Sequence, residues 1–209
     1  MATIINELIS SILQLIVFTF IPFIFFLFRK DKSVTFFNYI GLYKPTQKSI
    51  VYATLTSVLF VIAAIGMAFM DESIKQMLLS PKSVTGKLRL IGLGVSSVLI
   101  LFIIALIKTS LAEEILFRGF IAKQMNNKFG FATGNILQAA FFGMVHLLLF
   151  WMLTKSSLFP LTFIFVFSSF AGWTIGYIKE KFAYGSIVPG WIAHGVGNVL
   201  SYFIIAFVL

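Results

Sequence analysis

The sequence predicts an all-α fold, a polytopic transmembrane bundle of about six spans that forms a single integral-membrane domain over residues 1–209. Two observations lead to this class. Apolar residues make up 59% of the chain, the mean hydropathy is +1.01 and only 11% of residues are charged, more apolar surface than a soluble domain of this size needs. The apolar residues also form runs of about 20 residues, the length that crosses the hydrocarbon as a helix.

The first apolar run, residues 8–28, is predicted to be a retained span, because no lysine or arginine precedes it and no small-residue cleavage site follows it. Pro22 is tolerable inside a membrane helix. Residues 29–48 combine lysines with aromatic side chains, which is typical of an interfacial connector at the membrane–water boundary, and the alternative is an element that contacts the substrate. The second span covers residues 49–70.

Polar residues 71–87 follow, and Pro81 is expected to stop any helix there. From residue 88 the pattern predicts helix to about residue 126, a length of about 60 Å and twice the hydrocarbon thickness. The segment is either one long kinked helix or two helices that separate near residues 108–110, and the sequence leaves both open.

Three further spans are predicted at residues 131–153, 160–178 and 187–209. Gly172 and Gly176 have the spacing that lets two membrane helices approach closely.

Basic residues outside the spans predict the orientation. Nine lie on the side of the first connector and five on the other. This side is therefore expected to be cytoplasmic, with both termini outside, and the Phe-, Ile- and Lys-rich composition suggests a bacterial cytoplasmic membrane. The net charge of +9 is expected to serve contact with lipid headgroups, and no nucleic-acid binding is predicted, because the basic residues lie between apolar runs. The chain has no cysteine, which excludes disulfides and cysteine catalysis.

Three charged residues, Glu113, Glu114 and Arg118, interrupt apolar sequence. A charge at bilayer depth costs about 2.5–3.5 kcal/mol, so such residues usually have a function. Glu114 and Arg118 are four residues apart and are predicted to pair on one helix face. Glu113 is turned by about 100° from Glu114 and is left for chemistry.

The only two histidines also lie within predicted spans. His146 follows Phe142 by four residues, and His194 precedes Asn198 by four, so each pair shares a helix face. Counted along straight helices from the nearest turns, His146 is predicted at the depth of Glu113, and His194 about 10 Å shallower.

These residues resemble the three motifs of the CPBP family of intramembrane proteases, which includes CAAX-processing and bacteriocin-processing members and is also called the Abi family. The resemblance covers residues 105–205, a CPBP-like catalytic core with the catalytic cavity between the helices that carry the motifs, whereas residues 1–87 show no specific match. The motifs are Glu113-Glu114-x-x-x-Arg118, Phe142-x-x-x-His146 and His194-x-x-x-Asn198.

The resemblance implies an intramembrane endopeptidase that needs no covalent nucleophile and no cofactor. Glu113 would be the general base, His146 would hold and activate water, and His194 and Asn198 would donate hydrogen bonds to the oxyanion. Glu114 and Arg118 would orient Glu113. Zinc at Glu113, His146 and His194 is the alternative chemistry, because one glutamate and two histidines form a zinc-ligand set, although the HExxH motif is absent.

The sequence therefore predicts hydrolysis of a peptide bond in or near the bilayer, in a peptide or a membrane-anchored protein, within a cavity open to the cytoplasm. The sequence leaves two other functions open. One is a non-proteolytic membrane scaffold or regulator of another membrane protein. The other is an ion or proton transporter, for which the chain offers no inverted repeat.

Overall fold

The computed structural model describes residues 2–29 and 33–209, and these residues form helices joined by turns. Lys30, Asp31 and Lys32, two of which entered the orientation count, lie outside the described residues. The helices, in chain order, are α1 (Ala2–Leu27), α2 (Phe36–Ile40), α3 (Gln47–Met70), α4 (Glu72–Leu78), α5 (Val84–Ile91), α6 (Val95–Phe129), α7 (Phe131–Thr154), α8 (Leu158–Lys181) and α9 (Val188–Phe207).

Six of the described helices, α1, α3 and α6 to α9, are long and apolar enough to cross a membrane. The predicted all-α fold with about six spans is thereby confirmed, and the protein is a multi-pass integral membrane protein. Five of the predicted spans differ from the helices by at most six residues at either end.

The connector between α3 and α6 differs from the prediction. Pro81 does not leave this stretch without helix but lies in the turn between α4 and α5. Asp71 caps α4 by accepting a 2.8 Å hydrogen bond from the Ser73 amide, and Ser83 caps α5 by accepting a 3.0 Å bond from the Gly86 amide. The predicted helix start at residue 88 is therefore wrong, since α5 begins at Val84.

The long helix is continuous through residues 108–110, so the predicted alternative of a break there is wrong. The chain breaks earlier, at Gly92, whose φ of +80° favours glycine. Instead of breaking, α6 contains two π-helical segments, Ile103–Leu111 and Glu114–Ile121. Carbonyls in the first segment accept hydrogen bonds from other helices: Leu106 O from Trp191 Nε1 of α9 and Lys108 O from Gln14 Nε2 of α1, both at 2.8 Å.

The contact between α7 and α8 is close, as the glycine spacing predicted. A Cβ added to Gly172 would lie 3.3 Å from Ala139 Cα on α7. The amide nitrogens of two α7 side chains reach α8 carbonyls there: Gln138 Nε2 donates to Gly172 O at 2.9 Å and Asn135 Nδ2 to Trp173 O at 3.0 Å. Around this pair, α9 packs against α3 and α6, and α1 packs against α6.

The first connector is not only interfacial, because α2 is part of the bundle. Tyr39 and Ile40 are buried, and a Cβ added to Gly119 of α6 would lie 2.7 Å from Ile40 O. The connector is also bonded to the turn between α8 and α9. Ser186 Oγ donates to Tyr43 O at 2.7 Å, and the Ile187 amide donates to Gly41 O at 2.9 Å.

Candidate active site

Three helices bring a carboxylate and two imidazoles together inside the bundle. Glu113 is on α6, His146 on α7 and His194 on α9. Glu113 Oε2 lies 3.8 Å from His146 Nε2 and 4.0 Å from His194 Nε2. The same oxygen is buried and has no hydrogen-bond partner among the described residues. The structure thus places the three predicted residues of the reaction centre around one carboxylate oxygen.

The neighbouring glutamate forms the predicted ion pair. Glu114 and Arg118 are both completely buried, and Arg118 Nη1 lies 3.2 Å from Glu114 Oε1. The guanidinium also lies over the Phe142 ring, 4.1 Å from its centroid. Glu114 Oε1 is in addition 3.4 Å from His194 Nδ1. Glu114 therefore contacts the α9 imidazole, a contact that helical spacing on α6 alone did not predict.

The ring of His146 is held by the residue one turn before it. His146 Nδ1 lies 2.9 Å from Phe142 O, and because a carbonyl only accepts hydrogen bonds, Nδ1 carries a proton. The Phe142 ring packs against the imidazole with a centroid distance of 4.3 Å. Phe142 thus contacts both Arg118 and His146, and Nε2 of His146 is turned toward Glu113.

Asn198 extends the site along α9. Its Nδ2 donates a 3.0 Å hydrogen bond to Thr109 Oγ1, and Tyr202 lines the same cavity. Thr109 and Tyr202 were not predicted as site residues. The signal was present, because Thr109 precedes Glu113 by four residues and Tyr202 follows Asn198 by four, which puts each on the face already assigned to the site.

The predicted depth of His194, about 10 Å shallower than Glu113, is wrong, since the two side chains are 4.0 Å apart. The count assumed that the turn between α8 and α9 lies at the membrane boundary. Ser186 and Ile187 in that turn are instead fully buried. The backbone of α9 then passes close to α6 and α8, and a Cβ added to Gly190 would lie 2.6 Å from Ile175 Cγ2.

The site faces a cavity of about 360 Å³ whose walls are mainly apolar. All four predicted catalytic residues line it, together with Thr109, Tyr202 and apolar side chains of α3, α7, α8 and α9. The cavity extends to Lys82 and Lys87, which are exposed on the connector between α3 and α6. A substrate with an apolar segment fits such walls.

The position of this cavity bears on the orientation. Residues 71–94 and residues 29–48 lie at opposite ends of α3, so the cavity extends toward the end of the bundle away from the first connector. An opening of this cavity at Lys82 and Lys87 would lie on the side of the membrane opposite the first connector, and the orientation and the opening both stay predictions.

Among the residues that the structure describes, no group of three or more His, Cys, Asp or Glu side chains is arranged to hold a metal ion.

A comparison with protein families matches residues 94–200, just over half of the chain, to the family described as type II CAAX prenyl endopeptidase Rce1-like. The chain belongs to this Rce1-like family, which confirms the resemblance that the three motifs indicated. Membership implies a protease with peptide or protein substrates. No curated protein and no solved structure matches the chain.

Proposed function

We propose that the protein is an intramembrane endopeptidase in which Glu113 activates a water molecule for attack on a peptide carbonyl. The observation that carries the proposal is the buried Glu113 Oε2, which has no protein partner within the described residues and lies 3.8 and 4.0 Å from two imidazole nitrogens. These distances are too long for direct hydrogen bonds. A water molecule between the groups would satisfy all three.

The proton positions support the role of His146. With Nδ1 donating to Phe142 O, the neutral ring presents an Nε2 lone pair toward Glu113. A water at this point can donate one hydrogen to Glu113 and the other to His146, which aims an oxygen lone pair at the substrate. Glu113 takes the proton as the oxygen bonds to the carbonyl carbon. The same proton then goes to the leaving amine as the C–N bond breaks.

In this proposal, side chains of α9 donate hydrogen bonds to the oxyanion of the tetrahedral intermediate. Glu114 can only accept, so His194 Nδ1 carries a proton, and His194 donates from Nε2 when the ring is an imidazolium. One Nδ2 hydrogen of Asn198 is bonded to Thr109, and the second is available for the oxyanion. A preorganised donor of this kind contributes about 2.7–4 kcal/mol to the stabilisation of the transition state.

The substrate class follows from the cavity and the family. The family description is that of a CAAX prenyl endopeptidase, and an apolar cavity of about 360 Å³ next to the site suits an apolar peptide segment or a lipid chain. The proposed substrate is a peptide or a membrane-anchored protein cut close to the bilayer.

The test is cleavage of a membrane-tethered reporter peptide by the purified protein in detergent or lipid nanodiscs. Glu113→Ala, His146→Ala and His194→Ala should each abolish cleavage, while Glu72→Gln, an exposed carboxylate on α4, should leave it unchanged. Full cleavage by Glu113→Ala would refute the assignment of the base. A zinc mechanism predicts instead that chelation with phenanthroline abolishes cleavage and that added zinc restores it.

The same variants separate an enzyme from a scaffold. In a complementation assay of a deletion strain, Glu113→Gln keeps the shape of the side chain and removes its basicity. A scaffold would still complement with Glu113→Gln, whereas the proposed enzyme would not.

A further inference from the structure

A second cavity, of about 260 Å³, lies at the end of the bundle away from α4 and α5. It is bordered by the first connector, the end of α6 and the turn between α8 and α9, and it shares no lining residue with the cavity at Glu113. Its polar lining includes Tyr39, Tyr43, Lys123, Asn126, Lys179 and Glu180.

Positive charge exceeds negative charge around this cavity. Lys179 is buried with 4% exposure and forms an ion pair with Glu180, whose carboxylate also accepts a 3.5 Å hydrogen bond from Asn126 Nδ2. Lys123 lines the same cavity as Lys179 and Glu180. Among the described residues that line the cavity, two lysines thus share one carboxylate. Like charges held this close in a partly buried site favour a bound anion.

Hydrogen-bond donors remain available for that anion. The Lys123 ammonium donates one hydrogen to Tyr39 O at 2.9 Å, and an ammonium has three. The Lys179 ammonium forms an ion pair with Glu180, which occupies one of its three hydrogens. Two ammonium groups that converge on one polar cavity suit a phosphate, whose oxygens accept several charge-assisted hydrogen bonds.

The depth of the cavity matches that of lipid headgroups. Phe37 is 60% exposed and Tyr184 is 81% exposed at this end of the bundle, near Lys128 and Lys181. Exposed aromatic side chains beside lysines are typical of the membrane–water boundary. We propose that this cavity binds the phosphate group of an anionic phospholipid headgroup, with Lys123 and Lys179 as its ligands.

Native mass spectrometry tests the proposal on the full chain purified in detergent and mixed with equal amounts of phosphatidylglycerol and phosphatidylcholine. The wild type should retain one phosphatidylglycerol in preference to phosphatidylcholine. Lys123→Gln should bind phosphatidylglycerol about fivefold more weakly, the loss expected for one lysine near a phosphate, and Lys123→Arg should restore binding.

Lys128→Gln is the matched control, since Lys128 is an exposed lysine at the end of the same helix and does not line the cavity. It should bind like the wild type. Equal retention of the two lipids, or equal losses in Lys123→Gln and Lys128→Gln, would overturn the proposal.

An excess of inorganic phosphate distinguishes the two sources of the phosphate group. Displacement of phosphatidylglycerol would assign the cavity to phosphate in general, whether free or carried by a lipid. Retention of phosphatidylglycerol would assign it to the lipid headgroup. Both readouts measure lipid binding and not cleavage, so they are independent of the proposed protease activity.

Discussion

The polar residues of α7 lie in two different environments inside the same apolar bundle. Asn135 and Gln138 donate their amide hydrogens to backbone carbonyls of α8 and join the two helices. Two to three turns further along α7, His146 borders a carboxylate oxygen of Glu113 that has no protein partner in the described part of the chain and that faces a cavity. A polar residue at membrane depth thus serves helix association when it donates its hydrogen bonds to the backbone of a neighbouring helix. It is a candidate for catalysis when it borders a buried polar atom that has no partner and that faces a cavity.

The largest expected difference between the two environments is in turnover. Glu113→Gln should lower kcat by about 10²–10⁴-fold, the contribution of a general base, while the midpoint of thermal unfolding stays close to that of the wild type. Gln138→Leu should leave kcat unchanged and lower the midpoint of thermal unfolding slightly. Cleavage kinetics and thermal unfolding of both variants in the same detergent measure this. A Gln138→Leu variant as inactive as Glu113→Gln would break the comparison.

The buried ion pair should show the next largest effect, this time on stability. Arg118→Leu leaves the Glu114 carboxylate buried without its cation, which is expected to cost about 3–5 kcal/mol of unfolding free energy. The double variant Glu114→Gln/Arg118→Met removes both charges and should recover most of this loss. Unfolding in a denaturing detergent provides the measurement, and equal stability of the single and double variants would contradict a role for the charge.

Asn198 should affect the reaction more than binding. Asn198→Ala is expected to lower kcat by about 10²–10³-fold with little change in KM, because an oxyanion donor acts mainly in the transition state. Tyr202→Phe keeps the ring that lines the cavity and removes only its hydroxyl, so it should cost less than Asn198→Ala. Steady-state kinetics of both variants with one reporter peptide would sharpen the distinction, and a smaller loss for Asn198→Ala than for Tyr202→Phe would remove Asn198 from the oxyanion site.

The smallest effect is expected for Gln138→Leu at the α7–α8 contact. Gln138→Leu removes one interhelical hydrogen bond, which costs about 0.6 kcal/mol on average in membrane proteins. Gly172→Leu at the same contact should be much worse, because a Cβ alone already approaches Ala139 Cα to 3.3 Å. Unfolding midpoints would rank the two variants, and the opposite ranking would show that the hydrogen bond, and not the close packing, holds α7 to α8.

Much of the site could be predicted from local patterns. The spacing of Glu114 and Arg118 predicted their ion pair, and the three motifs predicted the family to which the chain belongs. Thr109 and Tyr202 have the same four-residue spacing from Glu113 and Asn198. Their side chains are uncharged and of a kind that is common in membrane helices, so the spacing alone did not predict a role for them. The roles of Glu113, His146, His194 and Asn198 stay predictions until variants are assayed.

The sequence alone determined the class of fold and which side chains share a helix face, because hydrophobic runs and the four-residue period are local properties of the chain. It did not determine how the helices are offset along the membrane normal. That offset was decided by the buried turn at Ser186 and Ile187, which begins α9 inside the bundle and brings His194 to the depth of Glu113. It was also decided by π-helical winding in α6, which turns carbonyls toward α1 and α9. Both features depend on contacts between residues far apart in the chain, and no local pattern in the sequence encodes them.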